Sequence, residues 1–225
     1  MSEVLEALRG GLVVSVQASP GTPLAAPAHI AAMARAAELG GAAGIRATEV
    51  AAVKEAVGLP VIGLRKRRVE DGDVYITPTL EDARAVAAAG ADIVAVDATL
   101  RPRADGVELA ALVSELPVPV LADVDCLEAG LAAREAGAAA VATTLAGYTD
   151  NTPSPVDPDI HLVEDLAAEV DCPVFAEGRI ATPGQARAAF DAGAFAVVVG
   201  TAITDPIALT RGFAATARGR AHAAR

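Results

Sequence analysis

The chain has 225 residues, a formal charge of −11, 53% hydrophobic residues and only 3% aromatics. That length allows one barrel or two small domains and a sizeable core. The negative charge argues against nucleic acid as a partner, because its field repels phosphate backbones, yet a small phosphorylated ligand feels only its own pocket. Met1-Ser2-Glu3 lacks the basic flank and apolar core of a signal peptide. No apolar run is long enough to span a bilayer, so no membrane partner is expected. Cys126 and Cys172 form no CxxC or Cys/His cluster, which reads as reduced thiols and a cytoplasmic location.

Along the chain, β-branched runs alternate with Ala-rich helical stretches. Strands are expected at 12–17, 44–46, 61–64, 93–97, 120–122, 140–143, 174–176 and 196–200. Helices are expected between and after them at 28–39, 49–57, 80–89, 107–115, 125–136, 159–169, 183–191 and 207–217. The strands read as continuous apolar runs, as strands covered on both faces require. The joints repeat as well. Gly40-Gly41, Gly90, Gly137 and Gly193 precede the even strands, where a helix ends left-handed. Pro60, Pro119 and Pro173 precede the third, fifth and seventh, where a fixed dihedral stops one element and starts the next. Four (βα)2 units predict an α/β fold of one (β/α)8 (TIM) barrel over 1–225, with a loose end at 218–225. A doubly wound sheet is the alternative, but no GxGxxG follows the first strand. Two long connections, 65–79 and 146–158, fall on the face where barrels carry their active sites.

The strand ends present Gln17, Arg46, Lys66, Asp97, Asp123, Thr143 or Thr144, Glu177 and Gly200, so polar groups converge on one mouth. Gly178-Arg179 and Gly200-Thr201 follow the last two strands, where barrels often hold a phosphate on glycine amides and a short helix. Arg65–Arg68 reads either as part of that mouth or as a solvated basic run. Glu177 needs a partner if it is buried, and a structural ion pair with Arg179 is one way to supply it. Gln17 can both donate and accept.

The stretches Val14-Ser15-Val16-Gln17-Ala18, Gly44-Ile45-Arg46-Ala47, Val61-Ile62-Gly63-Leu64-Arg65-Lys66-Arg67 and Tyr75-Ile76-Thr77-Pro78-Thr79 resemble the motifs of the N-acetylmannosamine-6-phosphate 2-epimerase family. So do Val96-Asp97-Ala98-Thr99, Leu121-Ala122-Asp123-Val124, residues 143–149, Ala176-Glu177-Gly178-Arg179-Ile180 and Val199-Gly200-Thr201-Ala202-Ile203-Thr204, in the same order. The resemblance implies a homodimeric isomerase that inverts C2 of an N-acylated hexosamine 6-phosphate without cofactor or metal. It implies Lys66 as catalytic base, made neutral by desolvation or by cations such as Arg65, Arg67 and Arg46, with Glu177 as its catalytic partner. Arg46 and Asp123 position substrate in that reading: Arg46 on the enolate oxygen or a hydroxyl, Asp123 on Lys66 or a hydroxyl. Gln17 and Thr144 also bind substrate, and Asp97 does so or orients Lys66. Tyr148, like Tyr75, lines the pocket or packs on the barrel. Gly178, Arg179, Gly200 and Thr201 hold the phosphate. Two positions depart from the family pattern: Asp205 stands where many relatives carry arginine, and Thr48, a candidate helix cap, replaces a frequent asparagine. His29, His161 and His222 lack metal-ligand spacing, which disfavours a metal-dependent epimerase. Another phosphosugar isomerase or aldolase on the same fold, and a non-catalytic phosphosugar-binding regulator, are the rival readings.

Overall fold

The computed structural model describes residues 1–68, 73–150, 152 and 156–223, with side chains through 217. Eight parallel strands close into a barrel in chain order: β1 (Leu12–Val16), β2 (Gly44–Ala47), β3 (Val61–Gly63), β4 (Ile93–Asp97), β5 (Val120–Asp123), β6 (Ala140–Ala142), β7 (Val174–Glu177) and β8 (Ala196–Val199). The eighth strand pairs back onto the first, Val13 beside Val198. Helices α2 (Pro27–Leu39), α3 (Val50–Ala56), α4 (Leu80–Ala88), α5 (Leu109–Glu115), α6 (Leu127–Glu135), α7 (Ile160–Glu169) and α8 (Pro183–Asp191) follow the first seven strands in turn. A short α1 (Glu3–Glu6) precedes the barrel, and α9 (Thr201–Thr204) and α10 (Pro206–Ala223) follow β8. Expected and observed bounds of the strands differ by at most one residue at each end. The doubly wound alternative is excluded by closure. No described helix is long and apolar enough to cross a membrane.

The joints behave as their residues dictate. Gly41, Gly90, Gly137 and Gly193 take φ between 90° and 97°, a region closed to most side chains. The loose end expected at 218–225 lies beyond the residues described in full, as do 69–72, 151 and 153–155 of the two long connections.

Packing separates into an inner layer and two outer ones. Val13, Ile62, Leu64, Ile93, Ala95, Leu121, Ala140, Ala142, Phe175, Ala196 and Val198 fill the barrel, and Leu5 and Leu8 from the α1 region close its floor. The alternate residues of the same strands pack outward against the helices: Val14, Ile45 and Val94 on one side, Ala122, Val141 and Val197 on the other. Carried on toward the C-terminal strand ends, the period of two reaches Gln17, Arg46, Lys66, Asp97, Asp123, Thr144, Glu177 and Gly200. The same alternation that builds the apolar core therefore assembles the polar mouth.

Candidate active site

Arg46 is the centre of the mouth, fully buried, with its Nη groups on acids and its Nε without a partner among the described residues. Its Nη1 and Nη2 donate to the two carboxylate oxygens of Asp123 at 2.9 and 2.6 Å. Nη1 also stands 2.9 Å from Glu177 Oε2. Burial alone would favour loss of the proton, but Asp123 and Glu177 raise the Arg46 pKa instead. With both Nη groups engaged, Arg46 holds the two carboxyls together. The expected alternative of a Glu177–Arg179 ion pair is corrected: Glu177 pairs with Arg46.

Thr144 lies in a 3-10 turn (Thr143–Leu145) directly after β6. Its hydroxyl is 2.6 Å from Asp123 Oδ1 and 3.0 Å from Glu177 Oε2. Its neighbour Thr143 faces the other way and stitches β6 to β7, bonding the Glu177 carbonyl and amide at 2.9 and 3.0 Å. Burial raises the Glu177 pKa; Asp123 adds to the rise, while the charges of Arg46 and Lys66 oppose it.

Lys66 comes from a hairpin that sequence reading left as a long connection. It pairs antiparallel with Ile76, Thr77 N–H donates to the Arg65 carbonyl at 2.6 Å, and Asp97 N–H donates to the Ile76 carbonyl at 3.0 Å. Ile76 is buried in the barrel core. The chain leaving the hairpin is strained: Thr77, fully buried and β-branched, sits at φ 45°. Its hydroxyl donates to the Ala95 carbonyl at 2.6 Å. Such backbone costs about 1–3 kcal/mol and persists where surrounding contacts impose it. Lys66 is exposed to the open mouth yet closely surrounded by protein. Desolvation and the Arg46 guanidinium push its pKa down, and Glu177 and Asp123 pull it up less strongly. Only one of the three expected cations supplies this field. Arg65 and Arg67 turn away to the buried Asp82 of α4, at 3.1 and 2.8 Å.

Asp97 is buried at the end of β4, and burial raises its pKa. It accepts from Thr99 Oγ1 at 2.7 Å and from Arg101 at 2.8 Å, so it is held by its own loop and does not orient Lys66. Arg103 braces the same corner by donating to the Asp97 and Thr77 carbonyls. Arg101 and Arg103 carried no motif in the sequence, and only their spacing after an acidic strand end hints at them. Tyr75 is half-buried in the upper barrel layer, and burial raises its phenol pKa. Gln17 donates to Ser15 Oγ at 2.7 Å, and its buried Oε1 has no partner among the described residues.

On the opposite side, Gly178 (φ 112°) and Arg179 (φ 57°) make a sharp turn after β7. Gly200, at the end of the adjacent strand, opens α9. A side chain at Gly200 would stand 3.3 Å from Ser15 Cβ, so glycine lets two backbones approach there. Arg179 leaves one guanidinium nitrogen, Nη1, buried without a partner among the described residues. It donates to the carbonyls of Asp157 and Ala146 at 3.1 and 2.8 Å, and it stacks on Tyr148 with 5.0 Å to the ring centre. Tyr148 is more than half exposed. Thr201 is exposed at the start of α9. Asp205, the departure from pattern, caps α10 by accepting from Ala208 N–H at 2.9 Å. Thr48 does not cap: the cap position of α3 is Glu49, and no side-chain bond forms there. A hollow of about 700 Å³ runs from Gln17 and Lys66 outward past Thr48 to Val86 and Ala89, so it opens beside the amine rather than at Gly178 or Gly200. Among the described residues, no group of three His, Cys, Asp or Glu side chains is placed to hold a metal ion.

A closed parallel barrel with an amine held low and a carboxyl held high at its C-terminal mouth defines a (β/α)8 enzyme of acid–base chemistry. Residues 30–218 match the family model described as "Putative N-acetylmannosamine-6-phosphate epimerase". The chain belongs to that family. A relative from Cutibacterium acnes, described by the same activity with the 2-epimerase ending, is 50% identical over 93% of this chain and 95% of its own length. One from Caldanaerobacter subterraneus is 45% identical over 94% and 92%. The solved N-acetylmannosamine-6-phosphate 2-epimerase from Clostridium perfringens superposes with a TM-score of 0.93 at 37% identity, covering 96% of each chain. A thiamine phosphate pyrophosphorylase from Pyrococcus furiosus, at TM-score 0.60 and 17% identity, shares the fold alone.

Proposed function

We propose that this chain is a cofactor-independent 2-epimerase that interconverts N-acetylmannosamine 6-phosphate and N-acetylglucosamine 6-phosphate, with Lys66 and Glu177 as its proton-transfer pair. In the open-chain sugar, C2–H is alpha to the C1 aldehyde. Neutral Lys66 takes that proton, and the C–H electron pair moves onto the carbonyl to give an enolate. The buried Arg46 charge supplies the positive field in which the enolate oxygen forms. Glu177, in its acid form, returns a proton to C2 from the other face. The resulting ammonium and carboxylate carry the same total charge as the starting amine and acid, so resetting the site needs only a proton moved between them. Gln17 meets the acetamido group or a hydroxyl, Thr201 and the amides of Gly178 and Gly200 meet the phosphate, and Arg179 frames that end through Tyr148. The reading rests on one observation: opposed pKa shifts on an amine and a carboxyl that share the Arg46–Asp123 pair.

The test is incubation of N-acetylmannosamine 6-phosphate with the protein in deuterated water. Deuterium at C2 together with the epimer is expected, and Lys66→Ala removes both while leaving the circular dichroism spectrum unchanged. A folded protein that yields neither product overturns the assignment. The chain works in the cytoplasm as a homodimer in this reading, supported by exposed Ile203, Leu209 and Phe213 on α9 and α10.

A further inference from the structure

Four close contacts link four atoms at the bottom of the mouth. Arg46 Nη1 stands 2.9 Å from Asp123 Oδ1 and 2.9 Å from Glu177 Oε2. Thr144 Oγ1 stands 2.6 Å from the same Asp123 oxygen and 3.0 Å from the same Glu177 oxygen. Arg46 Nη1 donates to Asp123 and stands against Glu177 as an ion pair. Thr144 has one hydrogen and two acids to meet. With both carboxyls ionised, one Thr144 contact is oxygen against oxygen with no proton between, beside a fully buried Arg46 and Asp123. A single further proton closes the ring, and the shorter distance shows where the threonine hydrogen goes: to Asp123, which also takes two bonds from Arg46 and is the better-stabilised anion.

We propose that Thr144 is a positioning residue that keeps a proton on Glu177, its hydroxyl donating to Asp123 and accepting from the Glu177 carboxyl. The opposite orientation, Thr144 donating to a Glu177 carboxylate, stabilises the anion and works against acid catalysis. Every charged group facing Glu177 is accounted for: Arg46 from β2, Asp123 from β5 and Lys66 from the hairpin after β3. Arg46 is already shared, Asp123 repels a second anion, and the hydroxyl remains as the acceptor for a proton. The proposal rests on Glu177 as the acid of the epimerase reading, but it concerns the resting site and needs no turnover to be tested.

The experiment is a titration of the intact, substrate-free protein labelled with carboxyl-13C glutamate, reading the Glu177 carboxyl by NMR and assigning it by its loss in Glu177→Gln. Thr144→Val keeps the shape and deletes the hydroxyl. The Glu177 midpoint then moves down by about one pH unit, the size of one hydrogen bond to the acid form. Thr144→Ser holds it near the wild-type position. A midpoint that rises or stays in Thr144→Val overturns the proposal, because the hydroxyl was then donating to the anion or doing neither. A wild-type Glu177 that titrates in the ordinary glutamate range overturns it without any variant. If the midpoint falls as expected while deuterium never enters C2, the relay stands and the epimerase reading fails.

Discussion

Arg46 carries the largest share of the site's order and the largest exposure to loss. It is the one cation directly between Asp123 and Glu177, both nearly sealed from water. Arg46→Met of similar bulk leaves the two acids facing each other. Removing one partner of a buried pair costs about 3–5 kcal/mol. The cost has a definite pH sign. Without Arg46 the Glu177 carboxyl, already pushed up by burial, lies further above its unfolded pKa, so the folded state binds its proton more tightly. Stability is then fully present below the ordinary carboxylate range and is lost as pH rises through the raised folded value. Chemical denaturation of the variant is expected to show its deficit shrinking toward acid pH. A deficit that is constant with pH means that packing, not charge, was lost. The sequence offered each of these residues singly, as polar groups at strand ends. It could not offer the pairing, because which strand end meets which across the mouth is set by barrel closure and not by any local spacing.

At the scale of elements, the alternation was legible because its causes are local: helical spacing, glycine where φ must be positive, proline where a helix must stop. The hairpin after β3 was not, since one antiparallel bridge and a threonine at φ 45° leave no period to read. The α1 floor was missed for the same reason, being four residues long. The hairpin's anchor is Asp82, 1% exposed and joined to Arg65, Arg67 and Thr79. Burial would raise its pKa, but hydrogen bonds from Arg67, Thr79 and Arg65 hold it below the usual aspartate value. Asp82→Ala frees the two arginines into water and loosens the arm that aims Lys66. A loss of about 1–3 kcal/mol is expected from the missing charged hydrogen bonds, with kcat down about tenfold to a hundredfold from misplacement of the amine. A depressed acid contributes stability above its unfolded pKa and loses it as pH falls toward the folded one. The gap between wild type and variant therefore closes in acid, and thermal melts run from neutrality to below pH 4 check it. Unchanged turnover in Asp82→Ala would mean the hairpin is held by its backbone bonds and the strained Thr77 alone.

For the whole molecule, the unfinished part is the last helix. Residues 206–217 of α10 bury nothing completely, although Ile207, Leu209 and Phe213 are apolar and Phe213 is 79% exposed. Helices in proteins draw most of their stability from a packed apolar face, and α10 packs chiefly against the four-residue α9. The face it leaves open is suited to a second copy of the chain, and a twofold contact would use each Phe213 once per subunit. Burying one phenylalanine is worth about 1.5–3 kcal/mol, so Phe213→Glu removes it twice per dimer and weakens association by about a thousandfold. Sedimentation velocity at micromolar protein is expected to find wild type at twice 22.5 kDa and the variant at one. The chain's charge of −11 makes association a meeting of like charges, which salt screens. Dimerisation therefore strengthens with added salt if the contact is apolar, and weakens with salt if ion pairs hold it. A wild-type chain that sediments as a monomer across that range leaves α10 as a solvent-facing helix and removes the dimer from this reading, with the chemistry of the mouth untouched.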